Sequence, residues 1–88
     1  MLKVEVFSSP GCGKCGHAKE ILKQVVEQLS AGRIQWREVS VLDEMDYAVR
    51  LGVLSTPAIA VDGKLVFTSL PSEKKLRRTL ERMLREEA

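Results

Sequence analysis

The chain has 88 residues, a length that supports one small domain over 1–88 and leaves no room for a separate substrate domain. Its 14 basic and 12 acidic residues give a formal net charge of +2, too small to indicate nucleic-acid binding, and aromatic residues are too few for a base-stacking surface. Because the N-terminal sequence lacks a signal peptide's apolar core and no apolar stretch reaches membrane-spanning length, we expect a cytoplasmic monomer without membrane contact.

The first predicted element is a strand over residues 2–7, where apolar and charged side chains alternate and Glu5 falls on the polar side. A loop follows over residues 8–11. From about Gly13 the apolar residues recur at helical spacing until Ala31 and Gly32 supply a stop. The buried face of this predicted helix comprises Ala18, Ile21, Leu22, Val25, Val26 and Leu29.

A second strand is predicted over residues 34–39, with Ile34, Trp36 and Glu38 on one side. A helix of about two turns follows, with Asp43 as the predicted N-cap and Gly52 as its end.

Residues 58–61 and 64–67 are predicted to form a β-hairpin, because Asp62-Gly63 between them is the strongest short hairpin signal. The last predicted helix opens at Pro71-Ser72, with Ser72 as the candidate cap. Its buried stripe contains Leu76, Leu80, Met83 and Leu84.

The resulting order, βαβαββα, predicts an α/β fold with a four-stranded mixed sheet flanked by three helices. A helix between the first two strands implies a parallel crossover, whereas the tight hairpin makes its two strands antiparallel. Ligand sites in such sheets lie beyond the carboxyl ends of the strands. A Cys-x-x-Cys motif, Cys12-Gly13-Lys14-Cys15, follows the first strand at this position.

Cys12 and Cys15 are the only cysteines in the chain. Three residues apart in a first helical turn, they lie within the separation that a disulfide needs. In a reducing compartment such a pair is more often catalytic or metal-binding than structural. A redox couple, a structural disulfide and a soft-metal site for copper or zinc are therefore the three interpretations.

The two thiols are expected to differ in how readily they ionise and in how exposed they are. Cys12 lies at the predicted helix N-terminus, where the dipole and the free N–H groups favour the thiolate that attacks disulfides, and Lys14 and Lys19 are candidates to add to this effect. Cys15 lies about 60° from Ala18 on a helical wheel, toward the apolar stripe, and should be more buried. We therefore expect Cys12 to be the nucleophile and Cys15 the resolving thiol.

The motif at the first strand–helix junction, Thr56-Pro57 before the hairpin and the element order together resemble the thioredoxin-like superfamily. The segment over residues 7–15 is similar to the small glutaredoxin-like thioredoxins of bacteria and archaea. This resemblance implies a thiol:disulfide oxidoreductase that binds no cofactor and uses its disulfide. It also implies a cis Pro57 facing the disulfide, a client chain paired with the backbone of Thr56, and Gly11, Gly13 and Lys14 within the binding site.

The chain departs from the family patterns at several positions, and these departures affect which redox partners are expected. Thioredoxins usually have a Trp where this chain has Gly11 and a buried acid where it has Val6. Glutaredoxins commonly have a Lys at the position of Ser9, together with other glutathione-binding residues that are absent here. Disulfide-containing client proteins and a separate donor of the thioredoxin-reductase type are therefore expected, in preference to glutathione.

A metal carrier and a glutathione-dependent glutaredoxin remain the alternatives. His17 would be a third metal ligand, but it lies about 200° around the helix from Cys15. Trp36 is interpreted as core packing. The basic run in the last helix is interpreted as its solvated face, with docking of an acidic partner as the other interpretation.

Overall fold

The computed structural model describes residues 1–29 and 32–87. The elements follow the predicted order. They are β1 (Leu2–Ser8), α1 (Cys15–Leu29), β2 (Ile34–Ser40), α2 (Met45–Leu51), β3 (Ala58–Val61), β4 (Lys64–Phe67) and α3 (Glu73–Glu87). None of the helices in this part of the chain is long and apolar enough to cross a membrane.

The four strands form one mixed sheet, as predicted, and their order in the sheet is β2-β1-β3-β4. β1 pairs in parallel with β2 and antiparallel with β3, and β3 pairs antiparallel with β4. The β3–β4 connection is the predicted two-residue turn. Asp62 and Gly63 both have positive φ, 51° and 80°, as a type I′ hairpin turn requires.

The observed termini of α2 and α3 agree in part with those predicted from the sequence. Gly52 closes α2 in the left-handed conformation, and the Ser72 hydroxyl accepts a hydrogen bond from the Lys75 N–H at 3.1 Å, so both predictions are confirmed. The Asp43 prediction is wrong. Glu44 occupies the N-cap position of α2 without a side-chain capping bond, because its carboxylate pairs with Arg37 instead.

The start of α1 also differs from the prediction. Its first residue is Cys15 rather than Gly13. Of the predicted stop, Ala31 lies outside the described residues, and Gly32 has a φ of 87°.

Two apolar clusters lie on opposite faces of the sheet. α1 and α3 cover one face of β1, where Leu22, Leu76 and Leu80 are fully buried. Trp36 is partly buried against this cluster, which agrees with its assignment to the core. On the other face, Phe7 packs with a smaller cluster around α2 and β3, which comprises Val39, Ala48, Ala58 and Ala60. β1 is therefore buried on both faces.

The prediction that Glu5 lies on a polar, solvent-facing side of β1 is wrong, because this residue is only 8% exposed. Arg37 on β2 binds its carboxylate at 2.6 and 2.9 Å, and the Tyr47 hydroxyl on α2 donates a hydrogen bond to it. The hydrogen bond from Tyr47 to Glu5, helped by desolvation of the phenol, raises the pKa of Tyr47. The hydrogen bond to Glu5 also raises the pKa of Arg37. The alternating pattern correctly predicts that Glu5 points to the sheet face opposite Val4 and Val6. That face is covered by α2 instead of being open to solvent.

The ionisation of Tyr47 can be measured directly, because it is the only tyrosine in the chain. We expect its ultraviolet titration in the folded protein to lie above the usual value of about 10, and Glu5→Gln to bring it back toward that value. Since the folded pKa is the higher one, the hydroxyl stabilises the fold fully below pH about 10 and loses this effect as the pH rises through the folded pKa.

We therefore expect Tyr47→Phe to lower the free energy of unfolding by about 1 kcal/mol at pH 7. The difference from the unmodified protein should shrink at alkaline pH. Urea denaturation at both pH values measures this, with Trp36 fluorescence as the probe. Coincident titrations of folded and urea-unfolded protein would contradict the prediction.

Candidate active site

The two cysteines lie where β1 ends and α1 begins. β1 stops at Ser8, residues 9–14 form a loop, and Cys15 is the first residue of α1. The Cys12 N–H donates to the Ser9 carbonyl oxygen at 3.2 Å, which turns the loop back toward the helix. Cys12 and Cys15 form a disulfide with their Cα atoms 5.5 Å apart.

The two sulfur-bearing residues differ in exposure, as the helical spacing predicts. Cys15 is 6% exposed and shares the buried face of α1 with Ala18 and Leu22, whereas Cys12 is partly exposed. The Cys15 Sγ lies 4.0 Å from the carbonyl oxygen of Phe7, the last core residue of β1. An attacking partner therefore reaches Cys12 before it reaches Cys15.

The helix N-terminus lies at Cys15, three residues after Cys12. The disulfide nevertheless joins the Cys12 sulfur directly to the side chain of the first helical residue, beside the free N–H groups of that turn. The first turn of α1 contains no acidic residue to oppose an anion. The first turn of α1 therefore places no negative side chain beside the cysteines.

Of the two candidate lysines, only one is available to this site. Lys19 pairs with Glu38 on β2 at 3.4 Å, so its charge is directed to that carboxylate. Lys14 is exposed beside the cysteines.

The loop that precedes β3 lies beside the Cys-x-x-Cys loop, because β3 pairs directly with β1. The Thr56–Pro57 peptide bond is cis, and Pro57 is buried just before β3. The Thr56 Oγ1 and the Ser9 Oγ are 2.7 Å apart, a hydrogen bond that ties the two loops together. A shallow surface depression joins both loops and is lined by Ser9, Pro10, Gly11, Cys12, Gly13, Lys14 and Thr56.

The structure therefore brings the predicted site residues Gly11, Gly13, Lys14 and Thr56 together around Cys12. Gly11 has a φ of 78°, a conformation that disfavours other residues and lets the loop turn just before Cys12. His17 is exposed on α1 outside this depression. No group of three His, Cys, Asp or Glu side chains within residues 1–29 and 32–87 is arranged to hold a metal ion.

One residue of the site was not predicted from the sequence. In the sequence Ser9 is notable only as a departure from glutaredoxins, although its hydroxyl binds Thr56, 47 residues away. No local pattern signals this contact, because it depends on where the Thr56 loop lies relative to β1. Leu54, two residues before Thr56, is 98% exposed, which is unusual for a leucine.

Comparison with known proteins identifies the family. A family model described as a thioredoxin domain matches residues 2–81. The chain belongs to the thioredoxin family. The thioredoxin of Methanocaldococcus jannaschii is 24% identical over 83 residues, which cover 94% of this chain and 96% of that protein. A 9.0 kDa uncharacterized protein of Acidithiobacillus ferrooxidans is 44% identical over 68 residues, 72% of this chain and 71% of that protein.

Solved structures support the same fold. A mutant thioredoxin from Halobacterium salinarum superposes with a TM-score of 0.78 at 21% sequence identity, over 92% of this chain and 73% of that chain. The predicted thioredoxin-like fold is thus confirmed. As a thioredoxin with a Cys12–Cys15 disulfide, the protein is a thiol–disulfide oxidoreductase, and its family implies disulfide-containing client proteins.

The Ser9–Thr56 hydrogen bond generates a prediction about the site's rigidity. We expect Ser9→Ala to lower the free energy of unfolding by about 1 kcal/mol, because a partly buried hydrogen bond between two loops is lost. A double-mutant cycle with Thr56→Val, measured by urea denaturation, should give a coupling energy of at least about 0.5 kcal/mol.

Ser69→Ala is the matched control, because Ser69 is exposed and its hydroxyl has no hydrogen-bond partner among residues 1–29 and 32–87. It should change stability by less than about 0.5 kcal/mol. Additive effects of the Ser9 and Thr56 substitutions would show that the two hydroxyls do not interact in solution.

Proposed function

We propose that this thioredoxin is a protein disulfide reductase in which Cys12 is the nucleophile and Cys15 the resolving thiol. The observation that carries the proposal is the unequal exposure of the two sulfur-bearing residues, Cys12 in the loop before α1 and Cys15 at the first position of that helix. A structural disulfide has no need for one accessible sulfur, whereas thiol–disulfide exchange requires it.

The reaction proceeds in two exchanges. The Cys12 thiolate attacks one sulfur of a client disulfide, the client S–S bond breaks, and the released client thiolate takes a proton from water. The Cys15 thiol then attacks the Cys12 sulfur and gives up its proton as the new S–S bond forms. The mixed disulfide breaks, the second client sulfur leaves as a thiolate and takes up a proton, and the Cys12–Cys15 disulfide forms. The client gains two electrons, which a separate dithiol reductase must return to the protein.

Among residues 1–29 and 32–87, no carboxylate is hydrogen-bonded to Cys15, whose sulfur contacts the Phe7 carbonyl oxygen. Val6 lies where thioredoxins usually keep a buried acid, and its side chain packs in the core under α1. Glu5 points to the other face of the sheet and binds Arg37 and Tyr47. The departing client thiolate is therefore the base to which the Cys15 proton passes.

Client binding is assigned to the Thr56 loop. The backbone of Thr56 borders the depression that contains Cys12, where a client segment can pair with it as a short added strand. Leu54, exposed two residues earlier, offers an apolar contact beside that segment. The donor is proposed to be of the thioredoxin-reductase type rather than glutathione, because Ser9 replaces the lysine that glutaredoxins commonly have there.

Single-cysteine variants test the assignment of the two sulfurs. We expect Cys12→Ser to abolish both insulin disulfide reduction and alkylation of the native reduced protein at pH 7, because the remaining thiol is buried. Cys15→Ser should also abolish turnover but keep rapid alkylation and accumulate a mixed disulfide with insulin. Mass spectrometry measures both products. The reverse pattern of alkylation, or an inert native protein with every dithiol donor tried, would refute the mechanism.

The apolar contact is tested by Leu54→Ser. Loss of a partly buried leucine contact of about 1 kcal/mol should raise the KM for insulin about 5-fold while leaving reduction of a small aromatic disulfide unchanged. The matched control is Val49→Ser, since Val49 is 70% exposed on α2. Equal effects of the two substitutions would argue against a specific role for Leu54.

A further inference from the structure

The most strongly charged surface of the molecule lies on α3. This helix contains six basic and four acidic residues, and its surplus of two positive charges equals the formal net charge of the whole chain. Elsewhere the basic residues are balanced one for one by acidic residues. The excess charge of the protein is thus confined to one helix.

Five of the basic side chains form a compact row, which we call the α3 basic stripe. At 100° per residue they fall within an arc of about 100°, opposite the buried face formed by Leu76, Leu80 and Leu84. Acidic neighbours on the helix, Glu81 and Glu86, lie at the borders of this arc and not within it. All five members of the stripe are exposed: Lys74, Lys75, Arg78, Arg82 and Arg85.

The stripe is not neutralised within the protein. None of the ion pairs in the described part of the chain includes a side chain of the stripe. Other basic residues do have partners, for example Arg37 with Glu5 and Arg33 with Glu87. Like charges at helical i,i+4 spacing, such as Lys74 with Arg78, oppose helix formation. The arrangement leaves the positive charge of the stripe open to a partner.

The stripe begins at the same end of the sheet as the disulfide. Val6 near the end of β1 pairs with Ile59, Ile59 pairs with Phe67 at the end of β4, and α3 starts six residues later at Glu73. From Lys74 the stripe runs toward the opposite end for about 17 Å at 1.5 Å per residue. A protein that presents a disulfide to Cys12 is therefore positioned to contact the stripe.

We propose that the α3 basic stripe docks an acidic surface of the protein that exchanges disulfides with Cys12. This inference rests on the proposed function, because it supposes a protein client or donor at Cys12. Complementary charge steers such partners and raises their association rate 10- to 1,000-fold at low ionic strength. Docking through α3 leaves the Thr56 loop free for the segment that carries the reacting disulfide.

A protein partner suits the stripe better than a membrane or a nucleic acid. The apolar face of α3 is buried in the core, so the helix has no apolar side chains left to insert into a bilayer. α3 carries no aromatic residue for base stacking, and acidic residues border the stripe, which disfavours a phosphate-dense polymer.

Disulfide-bridged peptides with different tails test the proposal. Three peptides share one cystine segment and one Gly-Ser linker, and end in a block of Glu, Ser or Lys. With dithiothreitol as the reductant, we expect kcat/KM for the Glu peptide to exceed that for the Ser peptide about 10-fold at about 0.01 M ionic strength. The two values should converge at about 1 M, where the Debye length is only about 3 Å.

The variant Lys75→Gln/Arg78→Gln/Arg82→Gln should lose the preference for the Glu peptide and keep the kcat/KM for the Ser peptide. The control Lys23→Gln/Arg50→Gln/Lys64→Gln removes three exposed charges elsewhere and should keep the preference. Circular dichroism verifies that both variants fold. A preference that survives in the α3 variant, or is lost equally in both, would overturn the proposal.

Binding measurements separate this proposal from the proposed function. Fluorescence anisotropy of a labelled Glu peptide without cysteine reports docking even if no disulfide is reduced. If the protein showed no reductase activity but still bound the Glu peptide through α3, the proposed reductase function would be refuted and the proposed docking surface would be supported. Tighter α3-dependent binding to phosphatidylglycerol vesicles or to a short DNA duplex than to the Glu peptide, at the same ionic strength, would assign the stripe to that ligand and overturn the proposal.

Discussion

Burial of β1 on both faces and its pairing on both edges is the constraint on which the rest of the structure depends. The strand pairs in parallel with β2 and antiparallel with β3, so the end of β1, the end of β2 and the start of β3 share one edge of the sheet. β1 ends at Ser8, and the loop that follows it contains Cys12. Thr56 and Pro57 lie just before the start of β3.

The unequal exposure of the two cysteines follows from how α1 packs on the sheet. Once the helix packs Leu22 against the sheet, its first buried position is Cys15, and the loop before it must hold Cys12 outward. The hydrogen bond between Ser9 and Thr56 then keeps the Thr56 loop beside the loop that contains Cys12. Exposure of one cysteine and burial of the other are consequences of core packing, and they require no additional catalytic residue.

Features that depend on local spacing were predictable from the sequence. The seven elements, the Asp62-Gly63 turn and the Ser72 cap each depend on residues within a few positions of one another. Features that depend on a distant partner were not. Asp43 has the composition of a cap, but the helix begins one residue later because Glu44 is held by Arg37. The Ser9–Thr56 bond, likewise, requires the register of β1 against β3.

Glu5 shows how one position along a strand decides a chemical role. Successive side chains of a strand point to opposite faces, so the acid at residue 5 and an acid at residue 6 would lie on different sides of the sheet. At residue 6 it would face α1 and the buried thiol. At residue 5 it faces α2, where Arg37 and Tyr47 compensate its burial and fasten α2 to the sheet. The carboxylate of Glu5 therefore stabilises the packing of α2 on the sheet and lies on the face opposite α1 and Cys15.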